Sequence, residues 1–196
     1  GMWAFAIWDE KKKELFLSRD HFGEKPLYYF KSNSGFFFGS EIKFIKSLCK
    51  KKFNENKKLI NSFLFQGYKS LNKSNNTYYN QIYSLENSTN IKINLNLDFK
   101  KKKYWSPKLK IDKSINLKDA SEEVKNYLHK SLKLRLRTDV PLAFCLSGGI
   151  DSSSLVSIAT KLLNKRVSTF SIIDEDERYN EQKNINLVNK DYGCDY

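Results

Sequence analysis

The chain has 196 residues, 40% of them hydrophobic and 14% aromatic, a globular composition that excludes a disordered polymer. It carries 35 Lys+Arg against 22 Asp+Glu, a formal charge of +13, and three cysteines, Cys49, Cys145 and Cys194. No apolar run approaches the ~20 residues that span a bilayer, and an odd, scattered set of cysteines without a CxxC pair argues against a disulfide framework or a zinc site.

Gly1 to Trp8 reads as an amphipathic strand without the basic leader of a secretory signal, so the cytoplasm is the expected compartment. The first third reads as hairpins. Met2–Trp8 and Glu14–Ser18 flank a charged turn, Asp9–Lys13. Pro26–Phe30 and Phe36–Gly39 flank a polar turn, Lys31–Gly35. Ser40 is placed to cap a short helix with Ile42, Ile45 and Leu48 on one side. Leu59–Phe65 suggests a helix, Lys69–Thr77 a surface loop, and the alternation of Ile91, Ile93, Leu95 and Leu97 a half-buried strand. Ser106-Pro107 and the lysines after it read as a linker, residues 107–116.

Beyond it the pattern changes. Val124, Tyr127, Leu128 and Leu132 keep a helical spacing, and Leu142–Leu146 is a short apolar strand. Cys145 within it is expected to be buried. Leu155, Ile158, Ala159, Leu162 and Leu163 form a helical stripe, Val167–Ile173 another strand, and Asn180–Asp191 a helix stopped by Gly193. Strand, helix, strand in this length makes a βαβ unit and a parallel sheet. The lysine runs Lys11–Lys13, Lys50–Lys52 and Lys100–Lys103 fall at expected turns or strand ends. The basic excess reads as a chain-wide compositional habit, so neither nucleic acid nor a membrane is expected as partner.

Between the strand and the striped helix stands Ser147-Gly148-Gly149-Ile150-Asp151-Ser152-Ser153. Free N–H groups at a helix start, with the helix dipole behind them, favour an anion. Two glycines let a polyphosphate approach the backbone, the serines add hydroxyl donors, and Asp151 can cap the helix or hold a metal ion. A Walker loop needs Lys and Ser/Thr after its second glycine, where Ile150-Asp151 stands. The string instead resembles the SGGxDS pyrophosphate loop of enzymes that cleave ATP between the α and β phosphates.

Two motif sets in order resemble the glutamine-hydrolysing asparagine synthetases, over nearly the whole chain. Arg137–Pro141, the loop Ser147–Ser153 and Thr169–Ile172 are similar to the start of their synthetase domain. Gly1–Asp9, Arg19–Tyr29 and Gly39–Lys43 are similar to the later part of their N-terminal-nucleophile glutaminase domain. The fold this implies is α+β, mostly antiparallel β, over residues 1–106. The start of an α/β parallel-sheet ATP-pyrophosphatase domain follows over 117–196. Two strands cannot complete such a sheet, so a fragment truncated at both ends, inactive alone, is expected.

The resemblance implies ATP, Mg2+, glutamine and aspartate as cofactor and substrates, with a homodimer left open as the assembly. Ser147, Gly148, Gly149, Asp151 and Ser152 would contact the β and γ phosphates, with Asp151 as magnesium ligand. Leu146 would meet the nucleoside by its backbone. Ile172, on the next strand, would meet adenine by backbone and packing. The family's nucleophilic cysteine and its glutamine-binding residues lie upstream of the matched segment, so this chain is expected to carry no catalytic residue. Arg19–Leu27 is then scaffold, His21 a loop histidine and His129 a solvated one. Ile173 and Leu85-Glu86-Asn87-Ser88 stand where the family usually has Gly and Pro-Gly. These departures leave open a relative amidating another carboxylate or closing a ring. Two further readings are a tRNA-adenylating enzyme, with the basic charge as its footprint, and an inactive binding protein, which the absence of an N-terminal cysteine would fit.

Overall fold

A computed structural model describes residues 1–70 and 74–196. It divides into two compact units, Gly1–Leu109 and Lys110–Tyr196.

The first unit holds two antiparallel sheets. One has the order β1-β2-β6-β7, from β1 (Ala4–Asp9), β2 (Glu14–Arg19), β6 (Thr89–Ile93) and β7 (Phe99–Lys103). The other has the order β4-β3-β5, from β3 (Tyr28–Ser32), β4 (Gly35–Gly39) and β5 (Tyr83–Ser84). Helices α1 (Ile42–Cys49) and α2 (Lys57–Gln66) complete the unit. Period-two alternation decides what each strand buries. Leu15 and Leu17 of β2 pair with Ile93 and Ile91 of β6, and the cluster they enter includes Tyr29, Phe36 and Phe38. Phe30 and Phe37, on the other face of the second sheet, pack instead with Ile45 of α1, Phe53 and Ile82. A sheet buried on both faces explains the unbroken runs Tyr28–Phe30 and Phe36–Phe38.

The second unit contains α3 (Leu117–Arg135), β8 (Ala143–Cys145), α4 (Ile150–Ser157), β9 (Ser168–Phe170) and α5 (Gln182–Tyr192). β8 and β9 are parallel, with Cys145 opposite Phe170, as the βαβ reading requires. Leu146, Val156, Ala159, Val167 and Ile185 form its core. Asn116 caps α3 through its side chain, and Gly193 ends α5 at φ +60°. The chain then begins a third parallel strand: Asp195 N–H donates to Val167 O, and Thr169 N–H to Asp195 O.

Several expectations need correction. Glu41, not Ser40, occupies the cap position of α1, and no side chain bonds there. Leu48 is exposed, because α1 turns only Ile45 fully inward. The alternation at 91–97 stops at Ile93: Leu97 takes φ +62°, Leu95 is exposed, and an Asn94–Asp98 turn reverses the chain. The lysines after it are therefore a strand, β7, at a sheet edge, where lysine discourages pairing with other chains. The expected loop Lys69–Thr77 includes residues 71–73, outside the described residues, while Thr77 is buried and donates to Ile82 O.

The stripe after the loop is one helix only to Ser157, since Ile158–Leu162 widens into a π-helical turn. Cys145 is exposed, because alternation turns its neighbour Phe144 to the core. Val124, Tyr127 and Leu128 are exposed as well, and only Leu132 of that α3 stripe is buried. His129 is half-buried, with Nε2 shielded from solvent and unpartnered. The basic excess is not chain-wide: Gly1–Leu109 has 21 Lys+Arg against 9 Asp+Glu, and the rest 14 against 13.

Candidate functional site

The turn between β8 and α4 is built from its backbone outward. Leu146 extends the ladder by one step, its N–H donating to Phe170 O at 2.8 Å, and its side chain is 2% exposed. Gly148 then takes φ +76°, a conformation that glycine adopts without a steric penalty. Gly149 occupies the cap position of α4 with extended φ and ψ, and Ser153 N–H is the first to bond back, to Gly149 O at 3.0 Å. The N–H groups of Ile150, Asp151 and Ser152 have no acceptor inside the helix. They form a donor set at the positive end of its dipole.

Two hydroxyls fix this geometry. Ser152 Oγ accepts from Ser147 N–H at 3.2 Å and donates to Gly149 O at 3.2 Å. Ser147 Oγ lies 3.1 Å from Ser152 Oγ and accepts from Gly149 N–H at 3.4 Å. Asp151 is exposed at the second position of α4, where the dipole favours a carboxylate. Beside Gly149 an added Cβ would meet only Ser147 Oγ, at 3.4 Å, so the space above the turn is open.

These features fit an anionic polyphosphate. Among the described residues no group of three His, Cys, Asp or Glu side chains could hold a metal ion. One carboxylate beside phosphate oxygens and water is nevertheless the sparse protein coordination usual for Mg2+.

Six of the seven residues expected from sequence, Leu146, Ser147, Gly148, Gly149, Asp151 and Ser152, are thus brought into one continuous turn. Ile172 stands apart. It lies two residues beyond the end of β9 and is 95% exposed, not buried in the sheet, because the β8–β9 ladder has already ended. Both features lie past the carboxyl ends of parallel strands, where α/β sheets bind ligands. Sequence reasoning missed the start of α5, whose Asn184 and Ile185 crowd Gly148. No local signal marks them, since the approach is tertiary.

A family model described as a glutamine amidotransferase domain matches residues 1–105, and one described as asparagine synthase matches 123–196. The chain belongs to the family of glutamine-hydrolysing asparagine synthetases. It is 36% identical over 195 residues to a protein of Methanocaldococcus jannaschii named "Putative asparagine synthetase 2 (glutamine-hydrolyzing)", covering 96% of this chain and 36% of that one. It is 31% identical to asparagine synthetase 2 (glutamine-hydrolyzing) of Bacillus subtilis, covering 92% and 25%, and 28% identical to the amidase chry2 of Gibberella zeae, covering 84% and 24%. The chain therefore spans between about a quarter and about a third of these relatives' lengths.

Within the segment shared with these asparagine synthetases, Arg19 and Asp20 organise the first unit. Asp20 is 1% exposed, and its carboxylate accepts from the N–H groups of Trp3, Phe22, Glu24 and Lys25 at 3.0–3.3 Å. Burial would raise its pKa, but the four N–H bonds outweigh it and bring it to about 2. The Arg19 guanidinium donates to the carbonyls of Gly23, Lys25 and Leu85 and to Ser84 Oγ. Together they pin the 22–25 loop between β1 and β5. His21 sits with its ring near-perpendicular to those of Trp3, Tyr104 and Trp105, at centroid distances of 5.1–5.3 Å.

Proposed function

We propose that this chain is part of an enzyme making asparagine from aspartate with ATP and glutamine-derived ammonia. The second unit supplies the pyrophosphate cradle, and the first is the later part of the glutaminase. The reading rests above all on the Leu146–Ser152 turn, whose open N–H groups and exposed Asp151 suit a polyphosphate.

An oxygen of the aspartate β-carboxylate attacks the α-phosphorus of ATP, forming a β-aspartyl-adenylate and releasing pyrophosphate. Ammonia then attacks the activated carbonyl, and AMP leaves with the C–O bond electrons. The backbone N–H groups of Ile150, Asp151 and Ser152 hold the departing pyrophosphate oxygens, favouring charge that grows on the leaving group. Mg2+, when bound, neutralises charge on the phosphate oxygens, with Asp151 as its protein ligand. The Ser147 and Ser152 hydroxyls keep the donors aimed. The backbone of Leu146 and residue Ile172 face the nucleoside.

Ile173 and Leu85-Glu86-Asn87-Ser88, which depart from the family's usual Gly and Pro-Gly, support a second reading in which another carboxylate is amidated. The test is the full-length protein with ATP, Mg2+, aspartate and either ammonium or glutamine. Asparagine and pyrophosphate in equal amounts, lost in Asp151→Ala, are expected. Pyrophosphate release that ignores aspartate would overturn the aspartate assignment and favour another acceptor.

A further inference from the structure

Resting on the pyrophosphate reading of the Leu146–Ser152 turn, we propose that Asn184 of α5 binds the same ligand. Its carboxamide donates to a second phosphoryl group, so a diphosphate is held between α4 and the first turn of α5.

Asn184 reaches the turn through a gap left by a glycine. A Cβ on Gly148 would lie 2.9 Å from Asn184 Cβ, 3.2 Å from Ile185 N and 3.4 Å from Asn184 C. Both residues belong to the second unit, and their contact is internal to it. Asn184 is exposed, and among the described residues its carboxamide makes no hydrogen bond. Two other asparagines of this unit occupy themselves locally: Asn116 Oδ1 accepts from Asp119 N–H, and Asn180 Oδ1 from Gln182 N–H. Asn184 does neither, although asparagine is a poor helix former unless its side chain finds such work.

The first turn of α5 is also charged against its own dipole. Ile185 N–H is the first to bond back, to Glu181 O, and Asn180 takes Gln182 N–H. The N–H groups of Lys183 and Asn184 therefore have no acceptor inside the helix. No acid stands in this turn, Glu181 makes no side-chain cap bond, and Lys183 adds a cation where the dipole favours an anion. The positive ends of α4 and α5 thus meet at Gly148, and each raises the energy of the other. A polyanion bound there offsets both penalties. Departures from local helix rules of this kind gather at functional sites. A diphosphate can use the donors of both helix starts and the Asn184 amide at once, whereas a single phosphate cannot.

Calorimetry of Mg2+–pyrophosphate binding to the full-length protein tests this. Asn184→Ala keeps the Cβ that meets Gly148 and removes the amide. It is expected to weaken binding about fivefold, and the near-isosteric Asn184→Leu by a similar factor. Without ligand, Asn184→Ala should be at least as stable to urea as the parent, since alanine is the better helix former. Asn186→Ala, an exposed position on the opposite side of α5, should bind as the parent does. Unchanged affinity in Asn184→Ala, an equal loss in Asn186→Ala, or a loss matched by destabilisation of the unliganded protein would each overturn the role of Asn184 and leave the turn's own reading intact. A parent protein that binds no pyrophosphate would overturn both.

Discussion

Asn184 of α5 stands against Gly148 of the β8–α4 turn so closely that a Cβ on Gly148 would lie 2.9 Å from Asn184 Cβ and 3.2 Å from Ile185 N. The turn and the start of α5 therefore share one space. The φ of +76° at Gly148 adds a conformational cost for any other residue. Gly148→Ala is expected to destabilise the second unit by about 2–4 kcal/mol, combining strain with a backbone clash. Urea unfolding followed by a probe in that unit measures it. Gly149→Ala, whose Cβ meets only Ser147 Oγ at 3.4 Å, should cost far less stability yet hinder polyphosphate binding. Equal stability losses for the two alanines would show that the Asn184 contact does not constrain the turn.

Ser152 keeps the turn in shape before any ligand arrives. Its hydroxyl joins Ser147 N–H to Gly149 O and meets Ser147 Oγ, so Ser152→Ala breaks three bonds at a site open to water. The stability cost is about 1 kcal/mol, and Ser152→Thr, which keeps the hydroxyl, costs less. Pyrophosphate affinity, measured by calorimetry on the chain with Mg2+ present, should fall several-fold in Ser152→Ala. Full retention of affinity would mean that the backbone alone holds the cradle.

The parts legible in sequence share a physical cause. Ser147-Gly148-Gly149 between an apolar run and a helical stripe could be placed because turn, strand and helix signals are local. The hairpins β1–β2 and β3–β4 were legible for the same reason. Errors arose where tertiary context decided. Leu95 and Leu97 continue an alternating pattern, yet the Asn94–Asp98 turn takes precedence. Cys145 lies in an apolar run, but a three-residue strand covered on one side exposes every second residue. Ile172 extends a β-branched run beyond the point where the ladder has a partner. The approach of Asn184 to Gly148 joins residues far apart in the chain, and no local pattern encodes it.

Asp20 makes the first unit sensitive to acid. Its pKa in the folded chain is about 2, below the ordinary 3.8, because four N–H bonds more than offset burial. A depressed carboxylate pKa contributes stability that is complete above the unfolded value and lost as pH falls through the folded one. The contribution is about 2 kcal/mol near neutrality and disappears between roughly pH 4 and pH 2. Asp20→Asn keeps the size but exchanges one acceptor for an amide donor aimed at N–H groups. It should be markedly less stable at pH 7, with the difference shrinking towards pH 2. Parallel stability curves for both proteins over that range would show that Asp20 is not the titrating group.

Thr169 of β9 and Asn189 of α5 form a buried polar pair, 2% and 1% exposed, in which Thr169 Oγ1 donates to Asn189 Oδ1 at 2.9 Å. Asn189 Nδ2 is buried without an acceptor. The pair is therefore half satisfied, and its single bond offsets only part of the desolvation of both groups. Thr169→Val leaves the whole Asn189 amide unpaired and should cost about 1–3 kcal/mol. Thr169→Val with Asn189→Leu removes both polar partners and replaces them with apolar groups of similar volume. The double variant is expected to be more stable than either single one, and close to the parent. A double-mutant cycle by urea denaturation reads the coupling directly. Purely additive losses would mean that the two side chains do not interact, and that Asn189 is held by something other than Thr169.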